Sequence, residues 1–206
     1  MTLTTDTAAD PPSSPVLQLV RHARVMLPAG TCYGATDAMA DPQHTAQVAA
    51  TLIDALPQGA SMLSSPLQRC AVLAHAVARA RTDLSLRFEP RITEMDFGCW
   101  EGSRWDAIPR SAFDAWTAQF AHHRFGGTES VQALMERVAA VWDESCDTQA
   151  PQVWITHAGV MNAAALLAQG ITAVGQADQW PRRSPAYGAR VLLPMQRIDR
   201  ASSRQV

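Results

Sequence analysis

Two histidines stand in matching positions in the sequence, each close behind a short apolar run. His22 follows Arg21 at the end of the run 16–20, and His157 follows the run 153–156. A histidine at a strand end is often only packed or hydrogen-bonded, but two in matching positions, one of them beside an arginine, favour a site. Guanidinium donors pair well with phosphate oxygens. The chemistry that this set predicts is therefore phosphoryl binding and transfer.

Arg69 supplies a further cation. It lies about one turn into a helix that we expect to open at Ser65, near the positive end of the helix dipole, where a cation is mildly disfavoured. A cation is better explained there if an anion sits between it and the helix amides. A solvated surface arginine is the plainer alternative. We take Arg69 as a candidate phosphate ligand alongside Arg21.

Glu94 is the candidate proton donor. It opens a segment with many aromatic residues, of which we expect four to cover a pocket: Trp100, Trp105, Phe113 and Trp116. Burial among aromatic rings would raise the pKa of the Glu94 carboxyl and let it deliver a proton at neutral pH. Asp96 and Glu101 compete for the same role, and an exposed loop carboxylate is the alternative interpretation.

The composition narrows the chemistry further. All 17 basic residues among the 206 are arginine, which excludes Schiff-base and phosphate-loop chemistry that depends on lysine. A net charge of −2 without a basic stripe argues against a nucleic-acid partner. The pair His122 and His123 has no carboxylate or thiol nearby at ligand spacing. We therefore expect no metal and no cofactor.

The sequence also indicates where the protein works. Residues 1–14 lack the basic start and apolar run of a signal peptide, and no stretch approaches the ~18 apolar residues of a membrane helix. The cysteines show no paired zinc or redox spacing and are expected to be free thiols: Cys32, Cys70, Cys99 and Cys146. We expect a cytoplasmic protein with a small-molecule partner and no membrane contact. Its oligomeric state stays open, with a homodimer as one outcome.

The elements that must position these residues alternate between strand and helix. Strands are predicted at 16–20, 62–63, 86–89, 153–156 and 186–193, the last of which fits an antiparallel strand. Helices are predicted at 45–56, 65–77, 131–142 and 158–169. This alternation predicts an α/β fold, a three-layer α/β/α sandwich with a mostly parallel central sheet. Ligands of such sheets bind beyond the carboxyl ends of the strands, where both histidines lie.

One domain is expected over residues 15–196, because compact domains usually have about 50–250 residues. Within it, a helical insertion is predicted at about 91–130. Residues 1–14 are expected to form a disordered lead-in, and residues 197–206 a tail.

Five motifs in this order resemble the conserved blocks of the histidine phosphatase (phosphoglycerate-mutase-like) superfamily. They are Leu19–Ala23, Ser64–Arg69, Glu94–Gly98 with Trp100–Gly102, Gly126–Ser130 and Thr156–Gly159. The resemblance implies a phosphoglycerate-mutase-like fold and a phosphohistidine on His22. It also implies that Arg21, Arg69 and His157 hold the phosphoryl oxygens, and that Glu94 protonates the leaving group and then activates water.

Within the superfamily, segments 32–37 and 96–102 are similar to α-ribazole phosphatases of cobalamin synthesis, which remove the 5′-phosphate of α-ribazole phosphate. That similarity implies Tyr33 and Trp100 as substrate-binding residues. The chain also departs from the family pattern. Ala23 stands where glycine is usual, Arg24 and Val25 replace Glu followed by Thr or Ser, and Pro28 replaces a phosphate-contacting Asn.

Three functional hypotheses follow. The first is a metal-independent phosphomonoesterase that acts on α-ribazole 5′-phosphate. The second is a phosphoglycerate mutase or another sugar-phosphate phosphatase, although mutases usually carry a longer cationic insertion and this one is aromatic. The third is a phosphate-ester-binding module that has lost catalysis. The presence of both His22 and Glu94 argues against the third.

Overall fold

The computed structural model describes residues 15–198, which form one five-stranded sheet with helices around it. The strands are β1 (Val16–Arg21), β2 (Ser61–Ser64), β3 (Ser85–Phe88), β4 (Gln152–Thr156) and β5 (Arg190–Pro194). Their order across the sheet is β3-β2-β4-β1-β5. The predicted lead-in at 1–14 and residues 199–206 of the predicted tail lie outside the described residues.

Four of the strands run parallel, and β5 pairs antiparallel with β1 at the edge of the sheet. Every residue of β4 is buried, as expected for a strand that is covered on both faces. The predicted mostly parallel sheet and the antiparallel last strand are therefore confirmed.

Helices cover both faces of this sheet. They are α1 (Pro42–Ala55), α2 (Gln68–Ala80), α3 (Arg110–Ala118), α4 (Val131–Cys146) and α5 (Ala158–Leu167). Val20, Val153 and Ile155 pack in one apolar core with α1 and α2. Leu19 and Trp154 point to the opposite face and pack in a second core with α4 and α5. Because neighbouring strand residues face opposite ways, the two cores make the three-layer sandwich that the alternation predicts.

The register of the strands sets the two histidines side by side. Arg21 of β1 pairs with Thr156 of β4, so the next residues in the chain, His22 and His157, leave the sheet together. The amide of Ser65, just after β2, donates to the carbonyl of Ile155 at 3.0 Å, which brings a third strand end to the same edge. This edge is the carboxyl side of the parallel strands, where ligands of such sheets bind.

Two helices begin at other residues than predicted. Helix α1 begins at Pro42 rather than 45, because the Asp41 carboxylate accepts the amides of Gln43 and His44 as a cap. The predicted start of α2 at Ser65 is wrong, since the helix begins at Gln68 and has no side-chain cap of its own. The Ser65 hydroxyl accepts the amide of Leu67 at 3.3 Å, and it also lies 2.8 Å from the ring of His157.

The remaining boundaries differ by a few residues. Helix α4 continues to Cys146, four residues beyond its predicted end, and α5 ends at Leu167, two residues before its predicted end. Strand β5 begins at Arg190 rather than 186, because the chain turns there: the Ala189 amide donates to the carbonyl of Ala186, and Gly188 has a φ of 74°.

The segment 91–130, predicted as a helical insertion, holds α3 and several short 3₁₀ helices. Those described in or next to it are Pro90–Ile92, Gly98–Trp100, Trp105–Ala107 and Phe125–Gly127, and one more lies at Ala177–Gln179. Gly126 and Gly127 adopt positive φ and form the predicted turn before α4, which Ser130 caps. Among residues 15–198, no helix is long and apolar enough to cross a membrane.

Candidate active site

His22 is buried and held in one tautomer. Only 2% of its surface is exposed, and its Nδ1 lies 2.7 Å from the carbonyl oxygen of Ala23. A carbonyl can only accept, so Nδ1 carries the proton in this bond and Nε2 carries the lone pair of a neutral imidazole. This is the form in which a histidine can act as a nucleophile.

The surroundings of His22 keep it uncharged. Burial is the largest effect, and the positive charges of Arg69 and Arg21 add to it, so that the pKa of His22 falls from its ordinary value to about 3 despite the opposing hydrogen bond to Ala23. Desolvation and nearby cations both disfavour the imidazolium form. The lone pair on Nε2 is therefore available throughout the physiological pH range.

His157 faces His22 at a ring-centroid distance of 5.1 Å. The Nε–H of Arg69 donates to its Nδ1 at 3.2 Å, so the proton of the neutral ring is on Nε2, which donates to the Ser65 hydroxyl at 2.8 Å. Complete burial, followed by the charge of Arg69, lowers the pKa of His157 well below its ordinary value. The two predicted histidines thus meet, and both are neutral.

Arg69 is fully buried, so the alternative of a solvated surface arginine is wrong. Besides His157, its guanidinium donates to the carbonyls of Gly34 at 2.6 Å and Thr36 at 2.7 Å. These three bonds use three of the five N–H groups of a guanidinium and hold its charge in a fixed position. The sequence predicts an anion between Arg69 and the amides at the start of α2. The anion found at those amides is the Asp37 carboxylate, which accepts the Gln68 amide at 2.7 Å.

Arg21 is the second cation near His22. One terminal nitrogen donates to the carbonyl of Pro185 at 2.5 Å, and the guanidinium carbon lies 4.1 Å from the ring centre of Tyr187. Its Nε is buried and has no hydrogen-bond partner among residues 15–198. A buried donor without an acceptor is costly, and a phosphoryl oxygen would satisfy it.

The Glu94 carboxylate lies at the start of α5. Both of its oxygens accept the Gly159 amide at 3.1 Å, and one also accepts the Met95 amide at 3.1 Å. Its hydrogen-bond partners are therefore backbone amides, and it shares the cavity wall with aromatic rings that include Phe97 and Trp116. A Cβ on Gly159 would clash with the nearer oxygen, so this position needs glycine if the carboxylate is to stay where it is.

The two rival carboxylates have structural partners instead. Glu101 accepts the amides of Ala35, Thr36 and Phe97 and the Thr36 hydroxyl. Burial acts to raise its pKa, but these hydrogen bonds outweigh it and hold the pKa of Glu101 below its ordinary value. Asp96 accepts the Gly98 amide at 2.8 Å. Neither lines the cavity beside His22.

A cavity of about 760 Å³ opens beside His22. Arg21, His22 and Glu94 lie in its wall, whereas Arg69 and His157 lie one layer behind it. The rest of the wall is largely apolar and aromatic: Tyr33, Phe97, Trp105, Trp116, Phe120, Trp180 and Tyr187 all contribute. A volume of this size is typical of small-molecule sites, which span roughly 300–1,000 Å³.

The predicted substrate-binding residues have different positions. Tyr33 lines the cavity, but Trp100 does not, and its ring lies 6.0 Å from that of the buried Phe125. Of the four aromatic residues expected over a pocket, Trp105 and Trp116 are in the wall. Both rings also pack on Phe125. The surrounding 3₁₀ turns have no regular sequence period, so the sequence does not indicate which of these rings face the cavity.

Sequence reasoning missed Trp180 and Tyr187. Both lie in the long connection after α5, which contains one short 3₁₀ helix and no motif. Tyr187 reaches the site because the amide of the next residue, Gly188, donates to the carbonyls of Arg21 and His22 at 3.2 Å. No local signal marks this long-range contact in the sequence.

The positions that depart from the family pattern surround the same cavity. Ala23 is fully buried and provides the carbonyl that fixes the His22 tautomer. Arg24, Val25 and Pro28 line the cavity wall. Within residues 15–198, no group of three or more histidine, cysteine, aspartate or glutamate side chains is arranged to hold a metal, and His122 is exposed.

The chain belongs to the histidine phosphatase superfamily (branch 1), whose family model matches residues 17–183. It is therefore an enzyme of the phosphatase and mutase class, and the resemblance to this superfamily is confirmed. The more specific similarity to α-ribazole phosphatases stays a prediction.

Several solved structures share the fold. The protein TTHB049 from Thermus thermophilus is 30% identical, with a TM-score of 0.63 over 86% of this chain and 92% of that one. A phosphoglycerate mutase from the same organism is 29% identical, with a TM-score of 0.64 over 86% and 91%. A mycobacterial glucosyl-3-phosphoglycerate phosphatase is 20% identical, with a TM-score of 0.71 over 87% and 89%. That last likeness indicates the fold alone. The chain has no match among curated proteins.

Proposed function

We propose that the protein hydrolyses small phosphate monoesters through a phosphohistidine on His22, without a metal ion. One observation supports this above all: a buried neutral imidazole has its Nδ1–H fixed on the Ala23 carbonyl, and it lies in a cavity wall together with Arg21 and Glu94. A fixed tautomer, adjacent cations and a carboxyl group are what nucleophilic catalysis at phosphorus requires.

In the first step, the Nε2 lone pair of His22 attacks phosphorus while the ester P–O bond breaks. Glu94, protonated at this stage, gives its proton to the departing alkoxide oxygen. The Nδ1–H bond to Ala23 persists and stabilises the positive charge that develops on the ring. Arg21 and Arg69 stabilise the negative charge on the transferring group from fixed positions, which is the role that a metal has in other phosphotransferases.

In the second step, water attacks phosphorus from the side that the leaving group has vacated. The Glu94 carboxylate takes a proton from this water, the P–N bond breaks, and the electron pair returns to Nε2 of His22. Inorganic phosphate leaves and both side chains regain their starting protonation states. His157 contributes as a buried neutral group beside the phosphohistidine, held by Arg69 and Ser65.

For the natural substrate we propose α-ribazole 5′-phosphate. Its benzimidazole group is an aromatic bicycle, and the cavity wall beyond His22 is rich in aromatic rings, including Trp105, Trp116 and Trp180. An aromatic pair contributes about 0.5–1.5 kcal/mol beyond its buried area, so such a wall favours an aromatic leaving group over a glycerate. The cytoplasm is the proposed compartment, and a homodimer the proposed assembly.

A sugar-phosphate or phosphoglycerate substrate, including the mutase reaction, is the second candidate. The observation in its favour is a pair of exposed arginines in the cavity wall, Arg24 and Arg182, which suit a second anionic group on the substrate. Arg24 is already paired with Asp41 at 3.0 Å. We rank this candidate below the ribazole ester for that reason and because of the aromatic wall.

Hydrolysis of a substrate panel in the presence of a chelator tests the proposal. The panel contains p-nitrophenyl phosphate, α-ribazole 5′-phosphate, 3-phosphoglycerate and glucose phosphates, and the variants are His22→Asn and, as a matched control, His122→Asn. We expect chelator-resistant turnover, lost in the first variant and kept in the second, with the ribazole ester preferred. Preference for a sugar phosphate would refute the proposal that α-ribazole 5′-phosphate is the natural substrate. Absence of turnover on every ester would favour a binding module that has lost catalysis.

A further inference from the structure

Two tyrosines from distant parts of the chain form a hydroxyl pair next to His22. The phenol oxygens of Tyr33 and Tyr187 lie 2.8 Å apart, a normal distance for a hydrogen bond between hydroxyls. Both residues line the cavity, and the ring of Tyr187 lies 5.6 Å from that of His22. These are the only two tyrosines in the sequence.

Each ring of the pair packs against a different arginine of the site. The guanidinium of Arg21 lies 4.1 Å from the ring centre of Tyr187, and that of Arg69 lies 5.2 Å from the ring centre of Tyr33. Cations over aromatic faces within about 6 Å are attracted to the ring. The pair therefore lies between two cations of the site, of which Arg21 lines the cavity and Arg69 lies behind its wall.

Backbone hydrogen bonds next to each tyrosine connect it to the residues of the active site. Tyr187 precedes Gly188, whose amide donates to the carbonyls of Arg21 and His22. Tyr33 precedes Gly34, whose carbonyl accepts from Arg69 at 2.6 Å. The position of each hydroxyl is thus coupled to the catalytic groups and not to a freely moving surface loop.

The tyrosine pair has one hydroxyl proton available for a hydrogen bond to a ligand. Two hydroxyls have two protons, and the bond between them uses one, so one O–H remains to donate to a ligand. Either tyrosine can be the internal donor. Burial, followed by the bond to Tyr187, raises the pKa of Tyr33, which keeps this hydroxyl protonated at neutral pH.

We propose that Tyr33 and Tyr187 act as one unit that donates a single hydrogen bond to a phosphoryl oxygen of the ester bound at His22. This inference rests on the proposed phosphatase function. The hydroxyl pair complements the Nε–H of Arg21, which has no partner among residues 15–198, so that the transferring group meets a neutral donor as well as the cation that lines the cavity.

The proposal predicts an unusual pattern of substitutions. In Tyr33→Phe or Tyr187→Phe, the remaining tyrosine no longer has a partner and donates its proton directly, so kcat/KM should fall by less than about threefold. In the double variant no donor is left. A hydrogen bond to a charged group contributes about 1.5–3 kcal/mol, so kcat/KM should then fall by roughly 10- to 150-fold. The inhibition constant of orthovanadate, which has no leaving group, should rise with it.

A purely structural role would give a different result. If the hydroxyl bond only joined two loops, either single substitution would break it, and each single variant would lose as much activity as the double variant. That outcome overturns the proposal, as does a double variant with wild-type kcat/KM and vanadate inhibition. If the double variant lowers kcat/KM but leaves vanadate inhibition unchanged, the donor binds the leaving group and the proposal is also wrong.

A second measurement needs no variant. In protein labelled with fluorotyrosine, both ¹⁹F NMR signals come from the pair, because the chain has two tyrosines. Addition of orthovanadate should shift at least one signal in the folded wild-type protein. Signals that stay unmoved while vanadate inhibits hydrolysis would refute the role of the tyrosines. A wild-type protein that neither hydrolyses esters nor binds vanadate would instead refute the phosphatase function itself.

Discussion

Lowering the pH from about 7.5 to about 5 should destabilise the protein, and His22 accounts for a defined part of the loss. In the folded state its pKa is about 3, because of burial and the charges of Arg69 and Arg21. In the unfolded chain the ordinary value of about 6.5 applies. The unfolded state thus binds the proton more readily between these values. The stabilising effect is complete above about pH 6.5 and is lost as the pH falls towards 3.

The size of this effect follows from the two pKa values. Each pH unit below about 6.5 costs about 1.4 kcal/mol of unfolding free energy, so the contribution of His22 at pH 5 is a loss of about 2 kcal/mol. His157, whose pKa is also lowered, acts in the same direction. Both histidines should make the enzyme less stable in mild acid.

Urea unfolding at the two pH values measures this loss. We compare the wild type with His22→Asn, whose side-chain amide can still donate to the Ala23 carbonyl, and with His122→Asn, which replaces an exposed histidine. The drop in unfolding free energy should be smaller by about 2 kcal/mol in His22→Asn and unchanged in His122→Asn. An equal drop in all three proteins would refute the claim that His22 is buried in its neutral form.

Three further predictions concern the site. Gly159→Ala should lower kcat at least tenfold, which corresponds to an activation barrier higher by about 1.4 kcal/mol. The Tm should change little, because the new methyl group displaces only the flexible end of Glu94. A kcat at the wild-type level would contradict this. Arg69→Met should lower the free energy of urea unfolding by about 3 kcal/mol or more, since buried carbonyls lose their donors, and a loss under about 1 kcal/mol would be inconsistent with its burial. Trp116→Leu should raise KM for aromatic esters roughly threefold to tenfold and leave KM for glycerol phosphate unchanged. Trp100→Leu should change neither KM. Equal effects of the two variants in steady-state assays would refute the placement of Trp116 in the cavity wall.

The sheet and the candidate nucleophile could be predicted because their signals are local. Apolar runs of four or five residues mark buried strands whether or not their neighbours are known, and Arg21, His22 and His157 follow such runs directly. The fold class places both histidines at the same edge of the sheet, and the parallel pairing of β1 and β4 brings them side by side.

What depends on distant contacts could not be predicted. Ser65 has the sequence of a helix cap, and its hydroxyl accepts the Leu67 amide, but it also bonds to His157, a residue 92 positions away, and the helix begins later. Arg69 is identifiable as a site residue, but its actual partners include the carbonyls of Gly34 and Thr36 rather than an anion on the helix amides. Tyr187 has no local signal at all.

The aromatic residues between 91 and 130 show a second feature that could not be predicted from the sequence, namely which rings face the cavity. Turns and 3₁₀ helices have no regular alternation of inner and outer faces, so the sequence indicates many large rings but not their directions. Trp116 lines the cavity and Trp100 does not, although both rings pack on Phe125.

The most direct test of the mechanism is to look for the covalent intermediate. Rapid acid-free quenching of the enzyme during turnover of p-nitrophenyl phosphate, followed by peptide mass spectrometry, should find one phosphoryl group, labile in acid, on His22. The same label on His157, on a serine, or on no residue while hydrolysis proceeds would contradict the account.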